Sequence, residues 1–306
     1  MRRQDWHQRV SRAPAGWPAV AVFLAIAFGL SWAVQIVIAL QAQDLVEGQD
    51  IGASQLLVAA ALMFPPAIGA YVVRRWIEGR HFEDAGIRRP QLRLSLVAWF
   101  GPAVLVVLAL LISLPIYPFG IDENDTQGLS PGLFVAVSLV SALTIGVLIN
   151  SIFAFGEEYG WRGYLLPRLV ALMGFWPGLL AHGAIWGFWH APLIALAGYN
   201  YPDTPLLGVL LFTAFGTLAG ILFGWLQIAS DSVWPPTIAH GAINSIAGLP
   251  FLLLVDVNAS VAGALHSPIG WLVLLGVIAV LLWRGWLTRP RESAPARSPA
   301  AARSDA

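Results

Sequence analysis

Apolar runs of about 20 residues recur down the chain, parted by short polar or arginine-bearing stretches. About 20 residues at 1.5 Å each cross the ~30 Å hydrocarbon core of a bilayer. The pattern predicts eight spanning helices, over 17–40, 54–73, 94–116, 132–156, 178–198, 205–228, 233–254 and 268–286. The fold class that follows is all-α, a polytopic membrane protein. The basic start followed by an apolar run imitates a signal peptide. The run is too long for one, however, and no A-x-A site cleanly follows, so it reads as an uncleaved first helix. Residues 164–177 are apolar but short and hold Pro167 and Arg168, which suggests a segment at the membrane interface. Residues 287–306, rich in Pro, Ala, Ser and Arg, read as a disordered tail. The organisation expected is a tail over 1–16, one transmembrane domain over 17–286 with its chemical core in 130–250, and a second tail over 287–306. No internal repeat supports a transporter built from duplicated halves.

Composition agrees with this picture. Of 306 residues, 58% are hydrophobic and only 11% charged, where a soluble domain carries roughly 25%. There is no cysteine, which excludes disulfides, thiolate metal sites and a cysteine nucleophile. The net charge of zero hides an asymmetry. Arginines fill the N-terminal tail, the 74–93 connection, the 162–168 stretch and the C-terminal tail. The connections 41–53, 117–131, 199–204 and 255–267 hold acids and no arginine. Positive residues mark the cytoplasmic side, so both termini are expected inside. The arginines track topology rather than form a stripe, which argues against nucleic-acid binding. Every basic residue is arginine, a weak hint of a bacterial source and hence of the cytoplasmic membrane.

Against this apolar background three polar groups stand out: Glu157-Glu158-Tyr-Gly-Trp-Arg162, Trp186-Gly-Phe-Trp-His190 and His240-Gly-Ala-Ile-Asn244. Ionisable groups at membrane depth are costly and default to a functional reading. Glu158 and Arg162 are four apart and share a helix face, where an ion pair would neutralise the acid. Glu157 points about 100° away and is expected to stay free. Desolvation makes a carboxylate a stronger base. Asn150 lies on the Glu157 side of that helix, as a candidate cavity wall. Trp186 lies one turn before His190, and Pro192 would loosen the helix there. His182, one turn earlier still, is a possible lining residue, though a structural role suits it better. His240 and Asn244 share a face and offer two donors suited to an oxyanion. Counted from the arginine side, His190 lies ~18 Å and His240 ~10 Å along their spans. All three groups therefore fall in the cytoplasmic half and are expected to share one site.

None of these spacings is the H-E-x-x-H zinc motif. Zinc held by Glu157, His190 and His240, with water as fourth ligand, is chemically possible. The same residues serve without metal: Glu157 takes a proton from water, His190 orients it, and His240 with Asn244 holds the oxyanion.

The ordered trio E-E-x-x-x-R, aromatic-x-x-x-H and H-x-x-x-N on successive membrane helices resembles the CPBP intramembrane proteases. That group includes the type II CAAX prenyl endopeptidases, the lysostaphin resistance protein A-like proteins and the Abi bacteriocin-processing or immunity proteins. The resemblance covers about residues 130–250. It implies Glu157 as general base, His190 as its partner, His240 and Asn244 as oxyanion hole, and Glu158 and Arg162 in support. Trp186 stands where the pattern often has Phe. Members are often described as metalloproteases, while a glutamate route needing no cofactor is the other description. The substrate implied is a peptide or membrane protein cleaved near the cytoplasmic face, within the lipid bilayer. The alternative function is a non-catalytic membrane immunity or peptide-binding protein.

Overall fold

A computed structural model describes Trp6, Val10 and residues 16–41, 53–80, 85–122 and 126–287. The expected N-terminal tail, apart from Trp6, Val10 and Gly16, and the C-terminal tail beyond Leu287 lie outside the described residues. The regular elements described are helices. In chain order they are α1 (Trp17–Leu40), α2 (Ala53–Met63), α3 (Pro65–Ile77), α4 (Leu92–Ser113), α5 (Pro131–Met173), α6 (Phe175–Phe188), α7 (Ala191–Ala197), α8 (Pro205–Ser230), α9 (Trp234–Ile246), α10 (Leu249–Leu253) and α11 (Pro268–Trp283). Proline stands in the first two positions of most of them, where its missing N–H costs nothing and its φ suits a helix start.

Five helices are long and apolar enough to cross a membrane, namely α1, α4, α5, the α6–α7 pair and α8. A sixth span follows if α2 and α3, bent by 46° at Phe64, are counted together. Among the described residues the expected count of eight spans is not confirmed. The segment 233–254 forms only the 13-residue α9 and a separate short α10, and α11 has 16 residues. Helix α9 is nearly all buried, because its polar side chains face protein rather than lipid.

Residues 164–177 also depart from expectation. Up to Met173 they form no separate segment. The helix that starts at Pro131 continues to Met173, and Gly174, at φ 86°, ends it one residue before α6. The first half of α5 is largely exposed, and from Gly156 to Val170 it is wholly buried. Small residues permit that burial. A Cβ on Gly156 would meet the Met63 carbonyl at 2.7 Å, and one on Gly160 would meet Pro66 at 2.5 Å. Helices α6 and α8 approach in the same way. Gly183 and Gly187 on α6 face Gly216 and Gly220 on α8, and a Cβ at Gly216 would sit 2.5 Å from the Gly187 Cα. Small residues four apart on both helices let backbones pack closely where lipid supplies no hydrophobic drive. This small-x-x-x-small pattern is visible in the sequence.

The arginine-bearing connections gather at one end of the bundle. Arg88 Nη1 reaches Asp231 Oδ2 at 2.6 Å, Val233 donates its N–H to Gly86, and Arg168 pairs with Glu78. The arginine-free connections gather at the other end. Gly120 N–H bonds the Leu253 carbonyl at 3.1 Å, and Tyr201 Oη bonds the His266 carbonyl at 2.7 Å. The chain has no cysteine, so single-cysteine variants report sidedness directly. With the arginine end inside, a membrane-impermeant maleimide should label Asp203→Cys on intact cells. It should label Arg89→Cys only after the membrane is opened. The reverse pattern would overturn the orientation.

Candidate active site

Two consecutive acids on α5 face different surroundings. Glu158 is wholly buried, and its Oε1 accepts from Arg162 Nη1 at 2.6 Å and lies 2.8 Å from His240 Nδ1. The i,i+4 pair survives although Trp161–Leu165 is a π-helical turn, a form that recurs at functional sites. The rest of the guanidinium is covered by aromatic faces. Its carbon lies 4.1 Å from the Trp186 ring centre and 5.1 Å from that of Phe223.

Glu157 is not free, as its angular offset had suggested. Trp186 Nε1 donates to its Oε2 at 2.8 Å. Trp186 therefore ties the two acids together, one through its indole N–H and the other through Arg162 on its face. The ring also meets His190 and His240 edge-on, at 6.0 and 5.4 Å between centres.

His190 sits between α6 and α7, at φ −82° and ψ −1°. Its Nδ1 lies 3.0 Å from the Trp186 carbonyl. A carbonyl only accepts, so Nδ1 carries the proton, and in the neutral ring Nε2 is the free acceptor. By the same logic, the Nδ1 of His240 donates to the Glu158 carboxylate, and its Nε2 remains for the cavity. Asn244 follows one turn later on α9 and is exposed.

Glu157, Trp186, His190, His240, Asn244 and Asn150 line one cavity of about 310 Å³. Glu158 and Arg162 lie behind it. His182 does not line it; it is fully buried in the seam between α6 and α8, beside Gly183. The cavity continues to Tyr199, Asn200 and His266, in the arginine-free connections. His266 lies outside the helices, and burial pushes its imidazole down to about 4, so it stays neutral at ordinary pH. Its ring packs on Tyr201 and Phe251.

Three features of this site had no counterpart in the motif reading. The indole of Trp186 acts as a donor, and Trp differs from the more usual Phe in having one. Gln35 of α1 lines the cavity, and its signal was a lone amide in a 24-residue apolar helix. His266 reaches the cavity from the 255–267 connection, outside the three motifs.

The zinc arrangement was tested against this geometry. Among the described residues, no three of His, Cys, Asp and Glu gather closely enough to hold a metal ion. One oxygen of Glu157 is held by an indole, and the Nδ1 atoms of His190 and His240 are engaged, which leaves their Nε2 atoms for the cavity.

Comparison with known proteins places similarity over this same region. Residues 132–246 match the family described as "Type II CAAX prenyl endopeptidase Rce1-like". The CAAX prenyl protease 2 of Methanococcus maripaludis is 26% identical over 204 residues, covering 63% of this chain and 72% of that protein. The matched family segment contains every motif residue from Glu157 to Asn244, and leaves out Gln35 and His266.

Removing one member of a buried ion pair strands the other and costs roughly 3–5 kcal/mol. Arg162→Met alone should therefore lose most of its resistance to thermal unfolding in detergent. The double variant Arg162→Met/Glu158→Leu should recover a large part of it. Equal unfolding temperatures for the two would show that the pair is not the buried unit described here.

Proposed function

Because residues 132–246 match the Rce1-like type II CAAX prenyl endopeptidase family, we propose that the chain hydrolyses a peptide bond by glutamate-activated water inside the membrane-embedded cavity. It is a multi-pass membrane protease; the roles of individual residues are our reading. The observation that carries it is that Glu157, His190, His240 and Asn244 line one cavity although they come from three helices or helix ends.

In this reading a water molecule lies between the free oxygen of Glu157 and Nε2 of His190. Glu157 takes a proton from the water as its oxygen attacks the scissile carbonyl. His190, with Nδ1 fixed on the Trp186 carbonyl, holds the water by accepting its other hydrogen. Nε2–H of a protonated His240 and the Asn244 carboxamide then donate to the oxyanion. Glu158 balances the imidazolium through Nδ1. When the C–N bond breaks, the proton on Glu157 passes to the leaving amine. The products are a carboxylic acid and an amine, and Glu157 is regenerated. No step requires a metal.

The substrate we propose is a peptide or the end of a membrane protein, cut inside this cavity. The relative's name points to prenylated substrates, so lipidated and unlipidated peptides should be compared. Purified protein incubated with such a library, read by mass spectrometry, should cleave at least one member. Glu157→Gln should lower kcat by about 10³-fold or more, and Asn244→Ala by about 10²–10³-fold. A chelator should leave wild-type turnover unchanged. Full turnover by Glu157→Gln on a substrate that wild type cleaves would remove Glu157 as the base.

A further inference from the structure

The helix carrying His190 is broken at that residue. α6 stops at Phe188, α7 starts at Ala191, and Pro192 has no N–H to give. In a continuous helix Leu193 N–H would bond the Trp189 carbonyl. Instead Leu193 N–H donates to Gln35 Oε1 at 3.4 Å, and Gln35 Nε2 donates to the Trp189 carbonyl at 3.1 Å. The carboxamide is thus inserted in series between the two halves of one missing backbone bond. Trp32 Nε1, one turn earlier on α1, adds a second bond to the same carbonyl at 3.0 Å. Gln35 comes from a helix 154 residues away in sequence and is 1% exposed.

We infer that Gln35 is a positioning residue for His190: its carboxamide splints the open backbone turn that presents the imidazole to the cavity. The assignment of His190 to catalysis rests on the function proposed above; the splint itself rests on geometry alone. Its physical need is clear. A backbone carbonyl and N–H left open at membrane depth each cost free energy unless a partner is supplied. Without one, the turn would close into ordinary helix as far as Pro192 allows, or admit water. Either change would swing His190, which sits in the sparsely allowed bridge region of φ/ψ space where active-site residues are found. Only a group that donates and accepts at once can fill the gap. A carboxamide does so, a carboxylate only accepts, and a hydrocarbon does neither.

Three variants separate this role from simple packing. In Gln35→Leu, hydrogen–deuterium exchange of the detergent-solubilised protein should be about tenfold faster in the peptide containing Leu193, and unchanged in α8. On a peptide that wild type cleaves, Gln35→Leu should lose kcat by about ten- to a hundredfold with KM within about threefold, as expected for a misplaced group. In Gln35→Glu, only the protonated acid both donates and accepts. Its activity relative to wild type should therefore rise as the pH falls. Unchanged exchange at Leu193, an unchanged kcat in Gln35→Leu, or a Gln35→Glu ratio that does not vary with pH would each overturn the inference. Glu157→Gln serves as the inactive but correctly splinted reference, with wild-type exchange at Leu193. Exchange is read whether or not any peptide is cut. Failure of the protease reading, seen as no cleavage by wild type, is thereby kept apart from failure of the splint.

Discussion

The structure turns on one buried contact, the Glu158–Arg162 pair under the face of Trp186. Two charges taken out of water are costly, and the protein offsets the cost with three partners at once. Glu158 accepts from Arg162 and pairs with His240, while the rest of the guanidinium lies against the π-faces of Trp186 and Phe223. The arrangement joins three helices. Glu158 and Arg162 belong to α5, Trp186 to α6 and His240 to α9. Neutralising the cluster and positioning the candidate catalytic groups are therefore one act of folding, because the atoms that cancel the charge also aim the imidazole and the indole.

Close backbone approach makes that contact reachable. Helix α6 must lie against α8 for Trp186 to meet Phe223, and glycines on both helices open the space. The buried half of α5 is seated by Gly156 and Gly160 against the Met63–Pro66 bend. Bilayer lipid gives helices little reason to associate through apolar surface alone, so tight van der Waals packing and buried polar bonds have to supply it. The wholly buried polar cluster and the glycine seams are two halves of the same solution.

Much of the site was legible because helical periodicity converts sequence spacing into geometry. Glu158 with Arg162, Trp186 with His190 and His240 with Asn244 are each four apart, and each pair shares a face. The long apolar runs likewise revealed an all-helical membrane protein. What spacing could not show was anything decided between helices. Glu157 was read as free because its partner, the Trp186 indole, lies on another helix. Gln35 was overlooked because nothing local links it to Trp189. His182 shares the stripe of Trp186 and His190, but a structural role suits it better, and it lies buried in the seam with α8. The count of eight spans is left unconfirmed for a related reason. Hydropathy sums residues without asking what covers them, and α9 is covered by protein.

Regular helix is abandoned where the cavity lies. α5 passes into a π turn at Trp161–Leu165, directly beyond the two acids. α6 gives way to α7 at Trp189 and His190, and α9 ends at Ile246, beside the cavity-lining Ala247. A continuous α-helix satisfies its backbone internally and offers only side chains to a ligand. A substrate peptide brings its own backbone donors and acceptors into the membrane, where they too require partners. Polar side chains that line the cavity, such as Asn150 and Asn244, are there to meet them. The exposed backbone of the largest break is closed again by Gln35 from a separate helix. The bundle can thus hold an irregular turn at membrane depth, and irregularity there is what lets His190 face the cavity instead of the next turn of its own helix.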